Sequence, residues 1–212
     1  RGLSYKYWWG NNLMPVTING DGSIVGLSVG GLPNGTVDAD TLASNAVTTA
    51  KIANSAVTNV KHGAGSVIQV KYVESDTLMN NQSSSSLVDI TGLSVSITPQ
   101  SSSNKLFIIM NTNILTIEGG SSGTDAAVGL AIVKDGSVIQ TGEQRFKCYH
   151  SGYRGTFEKT LQSVVTAGTT NAITIKGQVR KVTGNNIFEV NPSSANSDDQ
   201  DHCSITVMEI AP

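Results

Sequence analysis

Charged and aromatic residues are scarce in this sequence. Only 14% of the 212 residues are charged and 5% are aromatic, both low for an ordinary cytosolic enzyme. The net charge is −2, from 14 Lys and Arg against 16 Asp and Glu. Proteins that bind nucleic acid carry a basic patch, and no basic run occurs, so we expect no nucleic-acid partner. No apolar stretch reaches the roughly 18 to 20 residues of a membrane helix, so we expect no membrane insertion.

Cysteine is also scarce, with only Cys148 and Cys203. A single pair is no disulfide framework, so two partly buried thiols are favoured over one disulfide across a sandwich, although both remain open. The first residue is not Met, whereas Met14 opens a stretch that reads like a natural start. Residues 1–13 are therefore interpreted as an upstream extension, a vector-derived remnant or part of a longer chain.

Glycine, by contrast, is abundant, with 22 residues, and Ser, Thr and Asn are frequent. This composition favours short strands and tight turns over helices. Residues 19–22, Asn-Gly-Asp-Gly, form a turn signal between the short apolar runs 16–18 and 23–25. The short apolar runs within residues 14–35 predict no core of their own, and we interpret residues 1–35 as a docking or extension segment.

A ten-residue repeat occupies residues 36–65. Valine recurs at the period and Leu or Ile lies midway, which gives the apolar positions Val37, Leu42, Val47, Ile52 and Val57. Apolar residues every five positions fit neither a strand nor a helix, since five residues rotate a helical side chain by roughly 500°. The pattern predicts one short helical turn over residues 48–53, with Thr48 as its N-cap, joined by an extended Asn-Ser piece.

Such a repeat exposes its apolar positions to water unless neighbouring units cover them. The array is too short to stack on itself, so the neighbours must be other chains. Three chains around one axis are the simplest closed arrangement, and we expect a homotrimer whose axis runs through residues 36–62. The alternative is a disordered linker rich in Ala and Thr, which does not require the regular apolar positions.

The sequence pattern of residues 66–212 predicts a β-rich head. Alternating or continuous apolar runs separated by turn residues mark about eight or nine strands. They are 66–73, 87–98, 105–117, 127–133, 138–140, 155–165, 172–182, 187–190 and 204–210. The expected fold is all-β, with an antiparallel β-sandwich or jelly roll after the short shaft. The residues expected in its core are Val95, Ile97, Phe107, Ile109, Ile205 and Val207.

Several stretches resemble tailed-phage appendage proteins. Residues 14–33, MPVTINGDGSIVGLSVGGLP, are similar to the N-terminus of many such proteins, and residues 46–53, AVTTAKIA, resemble the repeated shaft motif of phage tail fibres. Residues 87–99, LVDITGLSVSITP, and 204–210, SITVMEI, look like the β-rich domain that follows such a shaft. These stretches are distributed along the region from 14 to 212.

The resemblance implies a trimeric fibre in a virion, assembled in the host cytoplasm. Its N-terminal part would dock to another virion protein, and its head would face outward, toward a glycan or protein of the host surface. Similar modules also decorate capsids, and the short shaft keeps a capsid fibre or decoration protein open as the alternative.

No constellation that carries catalysis or a cofactor stands out. Cys148 and His150 lie two apart, but this spacing matches no catalytic arrangement, and packing on one strand face explains it equally. Residues 198–203 offer possible metal ligands but lack the Gly and Glu pattern of a calcium loop, which favours a plain acidic loop. The glutamates are scattered, whereas a glycan-degrading tailspike needs paired carboxylates. We therefore expect no enzymatic activity, no cofactor and no metal.

The stretch most typical of a binding surface is 143–154. Tyr and Arg combine contact area with hydrogen bonding, which suits recognition of sugars or proteins. The candidate receptor contacts are Arg145, Tyr149, His150, Tyr153 and Arg154. The alternative is an ordinary loop and strand whose aromatic residues belong to the core.

Overall fold

The structure is a computed structural model. It describes residues 17–18, 24–25, 37, 42–53, 56, 61, 63–117, 125–147, 154–183, 187–192 and 202–212. The chain divides into two compact units, Arg1–Ala56 and Val57–Pro212. Within the described ranges all regular structure is β-strand, apart from one short 3-10 helix, and every strand pair is antiparallel. The predicted all-β, antiparallel fold class is confirmed.

The first unit contains two short strands and the 3-10 helix. β1 (Thr17–Ile18) pairs with β2 (Ile24–Val25), in agreement with the turn signal between them. The helix covers Thr49–Lys51 with Thr48 as N-cap residue, so the helical turn lies where the repeat predicts it. It is a 3-10 turn, and the Thr48 side chain makes no capping hydrogen bond.

Backbone turns recur at the period of the repeat. The Ala46 amide donates to the Ala43 carbonyl over 2.9 Å, and ten residues later the Ala56 amide donates to the Ala53 carbonyl over 3.0 Å. The Lys51 ammonium donates to the Ala46 carbonyl over 2.7 Å, which ties the first turn to the helix. The ten-residue period of the sequence is therefore also a period of the backbone.

The second unit contains ten strands within its described ranges. They are β3 (Val67–Ser75), β4 (Met79–Gln82), β5 (Val88–Ile97), β6 (Lys105–Ile117), β7 (Asp125–Lys134), β8 (Ser137–Lys147), β9 (Arg154–Thr166), β10 (Ile173–Thr183), β11 (Ile187–Val190) and β12 (Cys203–Ile210). Each strand that the sequence predicts is present. β4 was missed because its polar sequence, Met-Asn-Asn-Gln, carries no apolar alternation.

The ten strands form two sheets. Sheet I has the order β5-β10-β7-β8. In sheet II, β9 lies on one side of β6, while β12 and β11 lie end to end on the other side, against residues 105–111 and 114–117 of β6. β3 continues the sheet beside β12, and β4 continues it beside β11. Each sheet is therefore four strands wide.

The strand pairing is nested. β7 pairs with β8, β6 with β9, β5 with β10, and β3 and β4 with β12 and β11. These successive pairs fall alternately in sheet I and sheet II. The innermost turn is 134–137, where Asp135 and Gly136 have positive φ values of 46° and 83°. Positive φ at both central residues is what a tight two-residue hairpin requires, and the Asp-Gly pair supplies it.

The core lies between the two sheets and follows strand alternation. Ile97, Ile205 and Val207 are fully buried, and Val95 packs against the core, as predicted. Phe107 and Ile109 are only half-buried, and their prediction as core residues was wrong. Successive side chains of a strand point to opposite faces, and in β6 it is Leu106, Ile108 and Met110 that point inward. Phe107 and Ile109 therefore lie on the outer face of sheet II.

The Glu209 carboxylate is buried in this core. Glu209 has no exposed surface, and its two oxygens accept three hydrogen bonds. The donors are the Gln100 amide at 2.7 Å, Asn104 Nδ2 at 2.5 Å and Gln69 Nε2 at 2.5 Å. These bonds join β12 to β3 and to the connection between β5 and β6, so Glu209 anchors one end of the sandwich.

Candidate functional site

Arg145 is the candidate receptor contact whose side chain the structure describes. It lies exposed on β8, an edge strand of sheet I, and its Nε is 2.5 Å from Glu143 Oε1. Arg154 begins β9, and its side chain lies outside the described residues, as do Tyr149, His150 and Tyr153. Their joint outward placement stays a prediction.

The shaft positions are exposed within one chain. Val37, Leu42, Val47 and Ile52 expose 49%, 44%, 55% and 43% of their surface, and Val57 lies outside the described residues. A single chain therefore does not bury these large aliphatic side chains, and their regular spacing does not stabilise it. The premise of the trimer prediction is met at these four positions, and the trimer itself stays a prediction.

A groove crosses the outer face of sheet I next to Arg145. Gly129 of β7 lies directly between Arg180 of β10 and Glu143 of β8. A cavity of about 290 Å³ borders Gly129. A Cβ at this position would lie 3.0 Å from Val182 and 3.2 Å from Arg180. We call this feature the Gly129 groove; it places a guanidinium group and a carboxylate on opposite walls.

An apolar row crosses the outer face of sheet II. The register aligns Val70, Met208, Phe107 and Val164 across four adjacent strands. Val70 is 52% exposed and Val164 is 63% exposed. The part of β6 that crosses this row therefore has apolar residues on both of its faces.

A polar recess opens on sheet II where β11 and β12 meet. β12 pairs with β6 as far as Asn111, and β11 pairs from Ile114 onward. In the gap the Asn113 amide donates to Cys203 Sγ at 3.4 Å, and its carbonyl accepts from the Asn191 amide at 3.1 Å. The recess has a volume of about 360 Å³. It is lined by Asn111, Thr112, Asn113, Glu158, Lys159, Thr160 and His202.

Cys203 and His202 lie next to the recess, and each contacts other residues of sheet II. Cys203 is a buried thiol, whereas Cys148 lies outside the described residues. His202 Nε2 lies 4.0 Å from Glu74 Oε1, and the Tyr72 hydroxyl donates to Glu74 Oε2 at 2.5 Å. The hydrogen bond to Glu74 raises the pKa of Tyr72 above its ordinary value. Tyr72, 59% exposed, thus presents an aromatic ring linked through Glu74 to the recess.

Sequence reasoning missed the recess. The available signal was the change along β6 from apolar residues at 107 and 109 to Asn111 and Asn113 on the same face. A polar pair after an apolar pair indicates a change in what that face contacts, but the partner strand β9 could not be aligned from sequence. In the described ranges no three His, Cys, Asp or Glu side chains gather in a way that could hold a metal ion. No helix within those ranges is long and apolar enough to cross a membrane.

Comparisons with known proteins give weak likenesses. No family model matches the chain, and a search of curated proteins finds no match. Among solved structures, dimeric latent PorU from Porphyromonas gingivalis is 10% identical with a TM-score of 0.28, over 71% of this chain and 14% of that one. The Gt and Gx strains of infectious bursal disease virus are 14% and 13% identical, with TM-scores of 0.30 and 0.29. They cover 68% of this chain and 38% and 37% of theirs. Such values assign neither a fold family nor a function.

Proposed function

We propose that the chain is a structural protein of a virus particle, a trimeric fibre or appendage subunit of a tailed phage whose head contacts the host surface. It binds partners and catalyses no reaction. The observation that carries the proposal is the nested pairing of strands into two sheets, each four strands wide. This order supports a jelly roll, an architecture that recurs in viral capsid and lectin domains.

The repeat supports the fibre part of the proposal. Its apolar positions are exposed at regular spacing, and backbone turns recur with the same period of ten residues. A repeated unit that cannot bury its apolar side chains alone is stabilised by stacking against copies of itself. Three chains around one axis bring equivalent positions together at every level of the repeat. The segment before the repeat then docks to another virion protein.

The Gly129 groove supports the host-contact part of the proposal. It lies on the outer face of sheet I, beside Arg145 and at the strand that leads into residues 148–153. Arg180 on one wall and Glu143 on the other offer charged hydrogen-bonding groups of both signs. Surface glycans and proteins present polar groups of both kinds, so the groove and the exposed Arg145 form one candidate contact surface.

Adsorption of phage to host cells tests the host contact. We expect a Tyr149→Ala/Arg154→Ala double variant and an Arg145→Ala variant to weaken attachment by about tenfold or more, as loss of a recognition hot spot does. The matched control is Lys105→Ala, an exposed cation on sheet II. All variants should keep the wild-type mass and melting temperature.

Three outcomes would change the proposal. Unaltered adsorption of both variants would count against the segment 143–154 as the contact. Unaltered adsorption after deletion of residues 66–212 would favour a capsid-decorating role instead. Release of reducing sugar ends from host polysaccharide by the purified protein would overturn the non-enzymatic assignment.

A further inference from the structure

The apolar row on the outer face of sheet II lies within a larger, nearly uncharged surface. The register places one further row on each side of it, Tyr72, Thr206, Ile109 and Gln162 on one side and Val67, Ile210, Lys105 and Thr166 on the other. We call these three rows the apolar face. All their positions are described in the structure, and among them Lys105 is the only charged residue. Its ammonium donates to Thr166 Oγ1 at 2.7 Å, so the charge lies at the margin, where β6 begins.

The apolar face is accessible in the single chain. Its exposed large side chains are Val67, Val70, Tyr72 and Val164, and its half-buried ones are Phe107, Ile109, Met208 and Ile210. Contiguous apolar patches on soluble proteins mark contact surfaces when they reach a few hundred Å². The cores of protein interfaces are depleted of charged residues and enriched in Tyr, Phe and Met, and the composition of this face agrees with that.

The size of the apolar face selects its partner. Four strands about 4.8 Å apart and three rows about 7 Å apart cover roughly 14 by 14 Å. A stable complex of two separate proteins buries about 800 Å² on each partner, which is more than such a face offers. Copies that are already joined elsewhere need less area, because linkage raises their effective concentration to about the millimolar range. The repeat joins copies in the proposed trimer, so this inference rests on the proposed function and names a second contact within it.

The chain between the repeat and β3 is fixed to the same strand pair. The Gly65 amide donates to the Ala211 carbonyl at 3.1 Å, and the Ala211 amide donates to the Ser66 carbonyl at 2.9 Å. These bonds continue the pairing of β3 with β12 beyond Val67 and Ile210. The apolar face therefore begins two residues after the end of the repeat, which favours other copies of this chain as its partner.

We propose that the apolar faces of three copies pack around a three-fold axis that runs along their strands, with the β3 side of each face against the β9 side of the next. Packed sheets lie about 10 Å apart, so side chains fill about 5 Å above each sheet. A triangular prism whose faces lie about 5 Å from its axis has sides of roughly 17 Å, and four strands span roughly 14 to 19 Å. Met208 and Phe107 then face the axis. Sheet I, with Arg145 and the Gly129 groove, faces outward, where the proposed host contact requires it.

Disulfide cross-linking of the full chain tests this arrangement. Val70 and Val164 lie on opposite sides of one face, roughly 14 Å apart, whereas a disulfide requires Cα atoms within about 7 Å. A bond between cysteines at these positions therefore joins different chains. We expect the Val70→Cys/Val164→Cys double variant, oxidised with copper phenanthroline, to run at three chain masses on a non-reducing denaturing gel. The matched control is Val70→Cys/Val138→Cys, whose second cysteine lies on sheet I. This control and the wild type, which has its own two cysteines, should run at one chain mass.

A charge on the β9 side gives a second measurement. Val164 is 63% exposed in one chain, so without an interface Val164→Asp should hardly change the melting temperature. Against the β3 side of a neighbour the carboxylate would be buried, and we expect the melting temperature of the full chain to fall by about 4 °C or more. Val138→Asp, at the exposed valine of sheet I, should not lower it.

The outcomes separate this inference from the proposed function. A wild-type mass of three chains without cross-linking of the Val70→Cys/Val164→Cys variant would overturn the packing of the faces and leave the fibre proposal intact. Equal melting temperatures of Val164→Asp and Val138→Asp would do the same. Cross-linking that stops at two chains would indicate two stacked faces and would overturn the three-fold arrangement. A wild-type mass of one chain would contradict both proposals.

Discussion

Glu209 shows how one residue can secure several elements at once. Its carboxylate is fully buried and accepts hydrogen bonds from Gln69, Asn104 and the Gln100 amide. Glu209→Ala removes the acceptor, leaves the buried Asn104 amide group unsatisfied and opens a cavity. We expect the free energy of unfolding, measured in urea, to fall by about 3 kcal/mol or more. Glu158→Ala, at an exposed position, should change it by less than about 0.5 kcal/mol. A loss below about 1 kcal/mol for Glu209→Ala would show that the network does not hold.

Glu209 also marks a limit of sequence reasoning at the residue scale. Its place in the alternating run 204–210 is an inward one, where a charged residue breaks the apolar pattern. Its partners come from positions 69, 100 and 104, more than one hundred residues away in sequence. A local sequence pattern cannot predict a buried carboxylate whose hydrogen-bond donors are so far away in sequence.

The turn between β7 and β8 is an element that local sequence does specify. Gly136 has a φ of 83°, and a Cβ built there meets no other atom, so a substitution is disfavoured by backbone strain alone. Gly136→Ala should lower the free energy of unfolding by about 1 to 2 kcal/mol. The control is Gly63→Ala, where the space is equally open and φ is not positive. Equal effects of the two substitutions would mean that strain at the turn is not limiting.

The bounds of β6 could be predicted from the sequence, but which of its residues face the core could not. The continuous run 106–110 has no alternation, because one face fills the core and the other carries the apolar row. In a single chain we expect Ile108→Ala to cost about 2 to 5 kcal/mol and Phe107→Ala clearly less, since Phe107 is only half-buried there. Chemical denaturation of the two variants measures the difference. A larger loss for Phe107→Ala would indicate that the outer face is covered in the assembled protein.

For the molecule as a whole, the decisive property is its oligomeric state. Multi-angle light scattering at micromolar concentration should give three times the chain mass. Val47→Asp places a charge among the apolar positions of the repeat, and we expect it to reduce the mass to that of one chain. Val138→Asp, at an exposed valine of similar accessibility in the β8 strand, should leave the trimer intact. A wild-type mass of one chain would contradict the fibre proposal.

The overall architecture was predictable in part. Turn residues and alternation place nearly all the strands, so the all-β class follows from local physics. The polar recess could not be predicted in this way. It arises where β11 and β12 share one side of β6, and residues 191–202 separate these two strands. Such a break depends on which distant strands pair, and pairing partners leave little trace in a single sequence.

The nested pairing also favours a particular order for completing the head. The hairpin at 134–137 closes the shortest loop, whereas β3 and β12 join residues 67 and 210. β12 is the last described strand to leave the ribosome, and it lies between β3 and β6. Until it is inserted, both neighbours expose unpaired edges, which are prone to pair with other chains. Fragments that lack β12 cannot complete sheet II, so we expect truncated chains to expose these edges and to aggregate.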